Sequence, residues 1–260
     1  GFAAAPSARI FANYADGYNN IDIAEAKKRS VTIANTPGVS SLAVAEHAVA
    51  LMLALATRIV EGDDMMRRGA YKGWAPMNLI GTDLSGKTIG LIGVGHIGSD
   101  VAQIMKLGFG ANILYYDVNP NAIIEERFGA KRLATVEELL GAADFISLHV
   151  PLLDSTHHLI DGHRLALMKP TAFLINTSRG PVIDEKALVR ALRDRRIAGA
   201  GLDVFEFEPK LSSGLAKLQN VVLTPHIASA RQSVRDAMAV LAAKNIIDSL
   251  EGRAPANKVA

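Results

Sequence analysis

A regular alternation of short apolar runs and helical patterns between residues 87 and 225 constrains the fold most strongly. The apolar runs are TIGLIGV, NILYYD, DFISLHV, AFLINT, IAGAGLDV and VVLTP. Segments with helical periodicity separate them, and strands that alternate with helices form a parallel sheet covered on both faces. The sequence therefore predicts an α/β fold with a doubly wound parallel sheet.

The flanking segments predict fewer elements. RIFANYA near residues 9 to 15 and VTIANT at 31 to 36 are typical of short strands, and IAEAKKRS between them is helical in pattern. These segments make one βαβ unit. An apolar pattern predicts one long helix over about 41 to 69, and a second helical pattern covers about 233 to 250.

Composition excludes several classes of function. The formal net charge of +2 and the lack of a long Lys/Arg run argue against nucleic acid or membrane binding. The chain has no cysteine, which excludes disulfides, thiolate metal sites and a cysteine nucleophile. The most apolar run, AVALMLALA, is too short to span a bilayer. The N-terminus lacks the pattern of a signal peptide, so we expect a cytoplasmic location.

Residues 81 to 100, GTDLSGKTIGLIGVGHIGSD, match two phosphate-binding patterns. The triphosphatase pattern G-x-x-x-x-G-K-[ST] fits residues 81 to 88 and needs a helix directly after its Lys-Thr pair. Here Lys87 and Thr88 open an apolar strand instead. This match is therefore interpreted as chance, and ATP hydrolysis is disfavoured.

The second pattern, G-x-G-x-x-G, has the strand-turn-helix context that it requires. Gly93 permits the tight turn, Gly95 lets the backbone approach a pyrophosphate, and Gly98 lets the helix pack closely. The next strand ends at Asp117, nineteen residues after Gly98 (117 minus 98). A carboxylate there accepts bonds from the ribose hydroxyls and repels a 2′-phosphate, and no arginine occurs at residues 118 to 120. The pattern predicts a dinucleotide domain that prefers NAD.

Polar side chains follow three of the predicted strands. Arg179 follows AFLINT, Glu206 and Glu208 follow IAGAGLDV, and His226 follows VVLTP. In a doubly wound sheet these positions lie at the ligand-binding edge. Hydride transfer to a carbonyl needs a cation that holds the substrate and a group that exchanges a proton.

The remaining patterns do not indicate other chemistry. None of the other histidines, at positions 47, 96, 149, 157, 158 and 163, forms an H-E-x-x-H pair, so no metal site is predicted. No G-x-S-x-G elbow occurs, which disfavours an α/β-hydrolase.

The segments GLIGVGHIG, LHVPL, LINTSRGPVIDEKAL, GAGLDVFEFEP and LTPHIAS occur in this order and resemble the signature segments of the D-isomer-specific 2-hydroxyacid dehydrogenase family. The resemblance extends from NYADGYNNID to the end of the chain. NYADGYNNIDIAEAKKR and the GWAP connector are most similar to its glyoxylate/hydroxypyruvate reductase branch.

The resemblance implies roles for the polar loop residues. Arg179 would bind the substrate carboxylate and polarise its 2-oxo group. His226 would be the general acid in reduction and the general base in oxidation. Glu208, rather than Glu206, would hold the imidazole and stabilise its protonated form.

The resemblance also implies how NAD would be bound. His96 and Ile97 would present backbone N–H groups to the pyrophosphate, and Asp203 would hydrogen-bond the nicotinamide carboxamide. The full set of expected cofactor-binding residues is Gly93, Gly95, His96, Ile97, Gly98, Asp117, Val150, Pro151, Thr177, Ser178, Asp203, His226 and Ala228.

In the family, the substrate carboxylate meets backbone N–H groups of a loop that matches Asp16 and Gly17. An apolar residue is common before that glycine, so the carboxylate of Asp16 would repel the substrate unless it points away. The equivalent of Trp74 reaches the partner subunit's active site in some relatives, but core or connector packing is the expectation for this single tryptophan.

The implied architecture is a Rossmann NAD domain over residues 39 to 227 and a second, smaller flavodoxin-like substrate domain. Residues 1 to 38 and 228 to 260 would supply that smaller domain, which is expected to be N-terminally incomplete. We expect a homodimer through the dinucleotide domain, because the pattern over 41 to 69 has more apolar surface than one domain face needs.

The leading hypothesis is NAD-dependent reduction of a small 2-oxo acid, such as glyoxylate or hydroxypyruvate. Oxidation of formate or phosphite is a rival within the same fold, because Arg179 could hold any small oxyanion. A non-catalytic NAD-sensing module is the alternative from a different class.

Overall fold

The computed structural model describes residues 2 to 260. The chain divides into a central unit, residues 44 to 228, and a flanking unit made of residues up to 43 and residues 229 to 260. The domain boundaries inferred from the sequence, after residues 38 and 227, stay a prediction.

Strands and α-helices alternate along the chain, except that α2 and α3 are consecutive and no α-helix lies between β8 and β9. The strands are β1 (Ile10–Ala12), β2 (Thr32–Ala34), β3 (Thr88–Ile92), β4 (Asn112–Tyr116), β5 (Lys131–Arg132), β6 (Phe145–Leu148), β7 (Phe173–Asn176), β8 (Gly199–Leu202) and β9 (Val221–Leu223). The helices are α1 (Ile23–Lys28), α2 (Ser41–Ala56), α3 (Ile59–Arg67), α4 (His96–Phe109), α5 (Ala122–Phe128), α6 (Val136–Ala142), α7 (Gly162–Leu167), α8 (Glu185–Arg193) and α9 (Gln232–Leu250).

The central unit contains one seven-stranded sheet in the order β5-β4-β3-β6-β7-β8-β9, and every pairing is parallel. The chain first builds outward from β3 to β5 and then returns to the other side of β3 with β6. The strand order therefore reverses at β3, which is where ligands bind in sheets of this kind. The predicted doubly wound parallel sheet is confirmed.

Two apolar cores cover the two faces of this sheet. Ile89 and Leu91 of β3 belong to the core that contains α2, α4 and α5, whereas Ile92 belongs to the core that contains α6 and α8. Alternate side chains of a strand point to opposite faces, so each strand supplies both cores. This explains why the strands read as continuous apolar runs.

The single helix predicted over residues 41 to 69 is wrong, because the chain forms two helices there. α2 ends at Ala56 and α3 begins at Ile59, and the two axes are inclined at 64°. Arg58 between them is left-handed, with φ of 55°, and a left-handed residue cannot continue a right-handed helix. Most of α2 is buried in the central core, so the apolar surface that suggested a dimer lies elsewhere.

Among residues 2 to 260, no single helix is long and apolar enough to cross a bilayer. The bent pair α2 and α3 reaches the required length and composition only when the two are taken together.

The flanking unit contains the parallel pair β1 and β2, with α1 between them and α9 from the end of the chain. Asp22 caps α1 by accepting a hydrogen bond from the N–H of Glu25 at 2.9 Å. Ile33 of β2 is buried beside Ala26 and Val31. The last residues of the chain bond to β2, since the N–H of Val259 donates to the carbonyl of Ile33 at 2.7 Å.

Candidate active site

The turn after β3 depends on two glycines. Gly93 is left-handed, with φ of 90°, and a Cβ there would lie 2.8 Å from the carbonyl oxygen of His149. A Cβ on Gly98 would lie 2.2 Å from the carbonyl oxygen of Gly93. Since neither position has room for a side chain, both glycines are needed for the chain to pass tightly from β3 into α4.

Gly95 differs, because nothing in the protein would touch a Cβ there within 4 Å. Protein packing therefore does not explain this glycine, whereas the close approach of a ligand does. His96 and Ile97 begin α4, and no acceptor for their N–H groups is found within residues 2 to 260. Free N–H groups and the positive end of a helix dipole fit a pyrophosphate.

Asp117 directly follows β4, beside this turn. One carboxylate oxygen accepts from the N–H of Val94 at 2.8 Å, and the other accepts from the N–H of Asn119 at 3.1 Å. Each oxygen keeps a further lone pair for a ribose hydroxyl. Arg132 of β5 donates to the carbonyls of Asp117 and Val118 at 2.9 and 3.1 Å. No arginine occurs at residues 118 to 120, but β5 places Arg132 beside the same loop from the edge of the sheet.

The triphosphatase interpretation fails on secondary structure. Thr88 is the first residue of β3 rather than the start of a helix, and no strand occurs over residues 71 to 80. The pattern at residues 81 to 88 therefore lacks both the preceding strand and the following helix that a triphosphate loop requires. This supports the interpretation that the match is chance.

Arg179 lies in a turn that follows β7. Asn176, the last residue of β7, is fully buried and shapes this turn. Its amide donates to the carbonyl of Arg179 at 2.9 Å, and its oxygen accepts from the N–H and hydroxyl of Ser178 at 3.0 and 2.8 Å. The guanidinium of Arg179 donates to the carbonyl of Ser178 at 2.6 Å. Sequence reasoning missed Asn176, although an asparagine at the end of an apolar strand was a usable signal.

The turn with Arg179 meets the loop after β8 at Gly180. A Cβ on Gly180 would lie 1.9 Å from the carbonyl carbon and oxygen of Phe205. The backbone of Gly180 contacts the backbone of Phe205, so position 180 has no room for a side chain. This contact fixes the loop of Arg179 against the loop that carries Glu208.

His226 follows β9 and pairs with Glu208. Nδ1 of His226 lies 3.1 Å from Oε2 of Glu208, whose other oxygen accepts from the N–H of Phe205 at 2.9 Å. Because a carboxylate only accepts hydrogen bonds, Nδ1 carries the hydrogen and Nε2 remains for a reacting group. His226 is left-handed, with φ of 54°, and half of its side chain is exposed. Strained backbone of this kind concentrates at functional sites.

Asp203, directly after β8, anchors the segment that carries His226. Its carboxylate accepts from the N–H of Ile227 at 2.9 Å, the N–H of Ala228 at 2.8 Å and the hydroxyl of Thr224 at 2.6 Å. Burial alone would raise the pKa of Asp203, but hydrogen bonds from His47, Thr224 and the two backbone N–H groups outweigh it and lower the pKa. The carboxylate of Asp203 has no exposed surface. Its expected hydrogen bond to the nicotinamide carboxamide stays a prediction.

His47 of α2 supports the same group. Its Nε2 lies 3.0 Å from the hydroxyl oxygen of Thr224 and 3.5 Å from Oδ1 of Asp203. The sequence shows only a histidine on a helix, because the contact joins residues 177 positions apart.

Glu206 takes no part in this arrangement. Its carboxylate bonds to Nε2 of His158 at 2.8 Å and accepts from the N–H of Glu185 at 3.0 Å. The N–H of Glu206 in turn donates to the carboxylate of Glu185 at 2.8 Å. These bonds tie together the N-terminus of α8 and two loops.

Within residues 2 to 260, no group of three or more potential ligands could hold a metal ion.

Further residues expected to bind the cofactor follow β6 and β7. Val150 and Pro151 follow β6, and a Cβ on Gly93 would come within 3.0 Å of Val150. Nε2 of His149 is buried with no partner among residues 2 to 260, as is the hydroxyl of Thr177 after β7. Burial lowers the pKa of His149 to about 4, so its ring is neutral at pH 7.

The predicted carboxylate loop lies in the flanking unit between β1 and α1. Asp16 is exposed and Gly17 is half-buried. Trp74 in the central unit is 83% exposed, so the expectation that it packs into a core or connector is wrong for this chain.

These features together define a dinucleotide-binding oxidoreductase. The turn after β3 suits a pyrophosphate, and a cation and a histidine-carboxylate pair follow β7, β8 and β9. The carboxyl ends of these parallel neighbours share one edge of the sheet, since Asn176 aligns with Leu202 and Leu202 aligns with Leu223.

The chain belongs to the D-isomer specific 2-hydroxyacid dehydrogenase family. The family's NAD binding domain matches residues 49 to 228, which confirms the resemblance of the sequence motifs. The protein is thus an NAD-binding oxidoreductase.

Relatives match along nearly the whole chain. A glyoxylate reductase of Thermococcus litoralis is 51% identical over 98% of this chain and 78% of its own length. One from Korarchaeum cryptofilum is 49% identical over 99% of this chain and 78% of its own length.

Solved structures match as well. An NADPH-dependent glyoxylate/hydroxypyruvate reductase from Sinorhizobium meliloti, in complex with NADP and malonate, has a TM-score of 0.90 and 35% identity. That match covers 100% of this chain and 80% of the other. A glyoxylate reductase from Paecilomyes thermophila has a TM-score of 0.87 and 34% identity over 96% of this chain and 75% of its own.

Proposed function

We propose that this chain reduces a small 2-oxo acid, glyoxylate or hydroxypyruvate, to the D-2-hydroxy acid, with NADH as the reductant. The hydrogen bond between His226 and Glu208 carries this proposal. It gives a proton donor with a fixed tautomer on the edge of the sheet that suits a dinucleotide. Two relatives that are about half identical to this chain bear the name glyoxylate reductase, which supports the choice of substrate.

Arg179 binds and polarises the substrate in this proposal. A guanidinium forms paired hydrogen bonds with a carboxylate, which fixes orientation as well as position. The turn that carries Arg179 is held by the buried amide of Asn176 and by the contact at Gly180. The backbone that carries the cation is therefore fixed before the substrate arrives.

His226 supplies the proton. A bound NADH would supply the hydride that reduces C2 of the substrate, and negative charge would then develop on the carbonyl oxygen. Nε2 of protonated His226 donates its proton to that oxygen, while Glu208 accepts from Nδ1 and stabilises the cationic ring before transfer. In the oxidation direction the neutral ring removes the hydroxyl proton.

The test replaces His226 with alanine and measures NADH oxidation with glyoxylate and hydroxypyruvate. We expect kcat to fall by a factor of about 100 to 10,000, the range for loss of a general acid, with NADH affinity unchanged. His163→Ala is the matched control, since His163 is exposed on α7. Equal rates for the His226→Ala variant and the control would refute the role of His226.

Glu208→Gln separates the pair from the histidine alone. We expect kcat to fall by roughly tenfold or more, because the amide can no longer stabilise the imidazolium by charge. An intact chain that oxidises formate or phosphite, or that binds NADH without turnover of any 2-oxo acid, would contradict the proposed substrate class.

We further propose NADH over NADPH. Asp117 accepts ribose hydroxyls and repels a 2′-phosphate. Arg132 approaches the same loop but is engaged with two backbone carbonyls. Titration of the protein with both cofactors by nicotinamide fluorescence tests the preference, and equal affinity would contradict it.

A homodimer through the central unit completes the proposal. Large apolar side chains of α3 and of the segment after it are exposed: Ile59, Val60, Met66, Tyr71, Trp74, Met77 and Ile80. Several exposed large apolar side chains along one segment are typical of an interface. Sedimentation should give a dimer at micromolar concentration, and replacing Trp74 and Met77 with serine should weaken it. A monomer at that concentration would refute the dimer.

A further inference from the structure

His158 lies where three loops of the central unit meet. It belongs to the loop after β6, and its N–H donates to the carbonyl of Pro181 in the segment after β7 at 2.8 Å. Its Nε2 lies 2.8 Å from Oε1 of Glu206 in the loop after β8. Pro181 comes just after Arg179, and Glu206 comes just before Glu208. One histidine therefore links the loop of the cation to the loop of the carboxylate.

The segment that contains Glu208 is held on both sides by a second carboxylate, that of Glu185. Glu185 is the first residue of α8 and is 3% exposed. Its Oε2 accepts from the N–H of Glu206 at 2.8 Å, and its Oε1 accepts from the N–H of Ser212 at 2.6 Å. Because residues 206 and 212 lie on either side of Glu208, the buried Glu185 fixes both ends of that segment.

Glu206 completes this arrangement with its own carboxylate. Its Oε2 accepts from the N–H of Glu185 at 3.0 Å, so the two glutamates exchange backbone-to-carboxylate hydrogen bonds. Its Oε1 bonds to His158. Since a carboxylate only accepts hydrogen bonds, Nε2 of His158 carries the hydrogen. The side chain of Glu206 is 11% exposed, and a carboxylate oxygen that is largely buried needs a donor. His158 supplies that donor.

The backbone of His158 is left-handed, with φ of 48°, as is that of His226, with φ of 54°. A residue other than glycine is uncommon in this region, and such a conformation persists only where the surrounding structure holds it. Each of these two histidines bonds to a glutamate of the same short loop, His158 to Glu206 and His226 to Glu208. The strained backbone at His158 therefore points to the same loop as the strained backbone at His226.

We propose that His158 is a positioning residue for proton transfer. Through Glu206 it holds the loop that presents Glu208 to Nδ1 of His226, and so it fixes the tautomer of the imidazole that exchanges the proton. This inference rests on the proposed function. Nε2 of His158 is occupied by Glu206, so His158 acts through the loop and not as a second general acid.

The experiment removes or restores the donor at position 158. In His158→Gln the side-chain amide still reaches Glu206, whereas the side chain of His158→Asn is one methylene shorter and does not. Asparagine adopts left-handed backbone readily, so His158→Asn keeps the fold at this position. His158→Ala is a second variant without the bond. His163→Ala is the control, since His163 is exposed on α7, and thermal unfolding establishes that each variant is folded.

The first measurement needs neither NADH nor substrate. It records the imidazole ¹⁵N shifts of histidine-labelled protein at alkaline pH, where imidazole rings are neutral, and the signals of His226 are assigned by their loss in His226→Gln. We expect Nδ1 of His226 to carry the hydrogen in the intact chain, in His158→Gln and in the control. In His158→Asn and His158→Ala the shifts should move toward the average of the two tautomers, because Glu208 is no longer fixed beside Nδ1.

The second measurement is the rate of glyoxylate reduction with NADH. We expect kcat to fall by about tenfold in His158→Asn and His158→Ala, the effect of a misplaced catalytic group, and by less than about twofold in His158→Gln. KM for NADH should change by less than about twofold in all three. In the Glu208→Gln background, His158→Asn should lower kcat by no more than about twofold, because the two residues act through one contact.

The outcomes separate this inference from the proposed function. A tautomer signal of His226 that is lost in His158→Asn and kept in His158→Gln supports the inference even if no 2-oxo acid is turned over, and that result would overturn only the proposed function. Turnover with an unchanged kcat and an unchanged His226 signal in folded His158→Asn and His158→Ala overturns the inference alone. An equal loss of kcat from His158→Asn with and without Glu208→Gln also overturns it, since His158 would then act by another route.

Discussion

Replacing His149 with glutamine should remove a defined part of the acid sensitivity of this protein. The pKa of His149 is lowered from 6.5 to about 4 by burial, so the folded chain binds this proton only below about pH 4. The unfolded chain binds it below about pH 6.5. The folded state therefore loses stability as the pH falls from 6.5 to 4.

The magnitude follows from the two pKa values. Each pKa unit of difference corresponds to about 1.36 kcal/mol, so the full loss is about 3 kcal/mol. By pH 4.5 about 2.5 kcal/mol should already be lost. The glutamine of His149→Gln cannot take up a proton. The free energy of unfolding of this variant should therefore fall by about 2.5 kcal/mol less than that of the intact chain between pH 7.5 and 4.5.

Urea denaturation of the cofactor-free protein at both pH values measures this difference. His163→Gln is the control, because His163 is exposed on α7 and should follow the intact chain at both pH values. An identical acid loss in the His149→Gln variant and the intact chain would mean that His149 is not neutral and buried in solution. The reasoning from burial would then be refuted.

Three further predictions test the site. Gly180→Ala should lower the free energy of unfolding in urea by about 3 kcal/mol, because the new Cβ overlaps the backbone of Phe205. The control Gly108→Ala, with nothing within 4 Å of its Cβ, should be neutral or slightly stabilising. Equal effects of the two substitutions would contradict the close contact at Gly180. Asp117→Ala should raise KM for NADH by about tenfold or more and KM for NADPH by less, since a charged acceptor is lost; unchanged selectivity between the cofactors would count against its role. Asp203→Asn should lower both the melting temperature and kcat, because an amide donor would face backbone N–H groups at a cost of about 2 kcal/mol; a variant with intact stability and rate would show that this carboxylate does not anchor the loop.

Local sequence patterns were sufficient for most of the central sheet. Each of β3, β4, β6, β7, β8 and β9 coincides with an apolar run, because strands of a parallel sheet that is covered on both faces are rich in apolar side chains. The two-residue strand β5 was missed, since Lys131 and Arg132 lie at the exposed sheet edge and carry no apolar signal. The break between α2 and α3 was missed because Arg58 has the left-handed backbone that sequence patterns associate with glycine.

The positions of the main candidate residues also followed from the sequence. Arg179, Glu208 and His226 lie just after strand ends or in the next loop, and parallel strands bring such positions to one edge. Glu206 and Glu208 could not be distinguished by pattern, because both lie in one short loop. The fold separates them, since Glu206 bonds to His158 and Glu208 bonds to His226.

The sequence by itself determined the parallel sheet, the nucleotide turn and the loops that carry polar groups, since these depend on periodicity and on glycines with local roles. Only the tertiary structure decided which side chains support one another: His47 behind Asp203, Arg132 beside Asp117, and His158 beside Glu206. Those contacts join residues far apart in the chain. Their geometry is set by how helices and strands pack, and no local pattern encodes it.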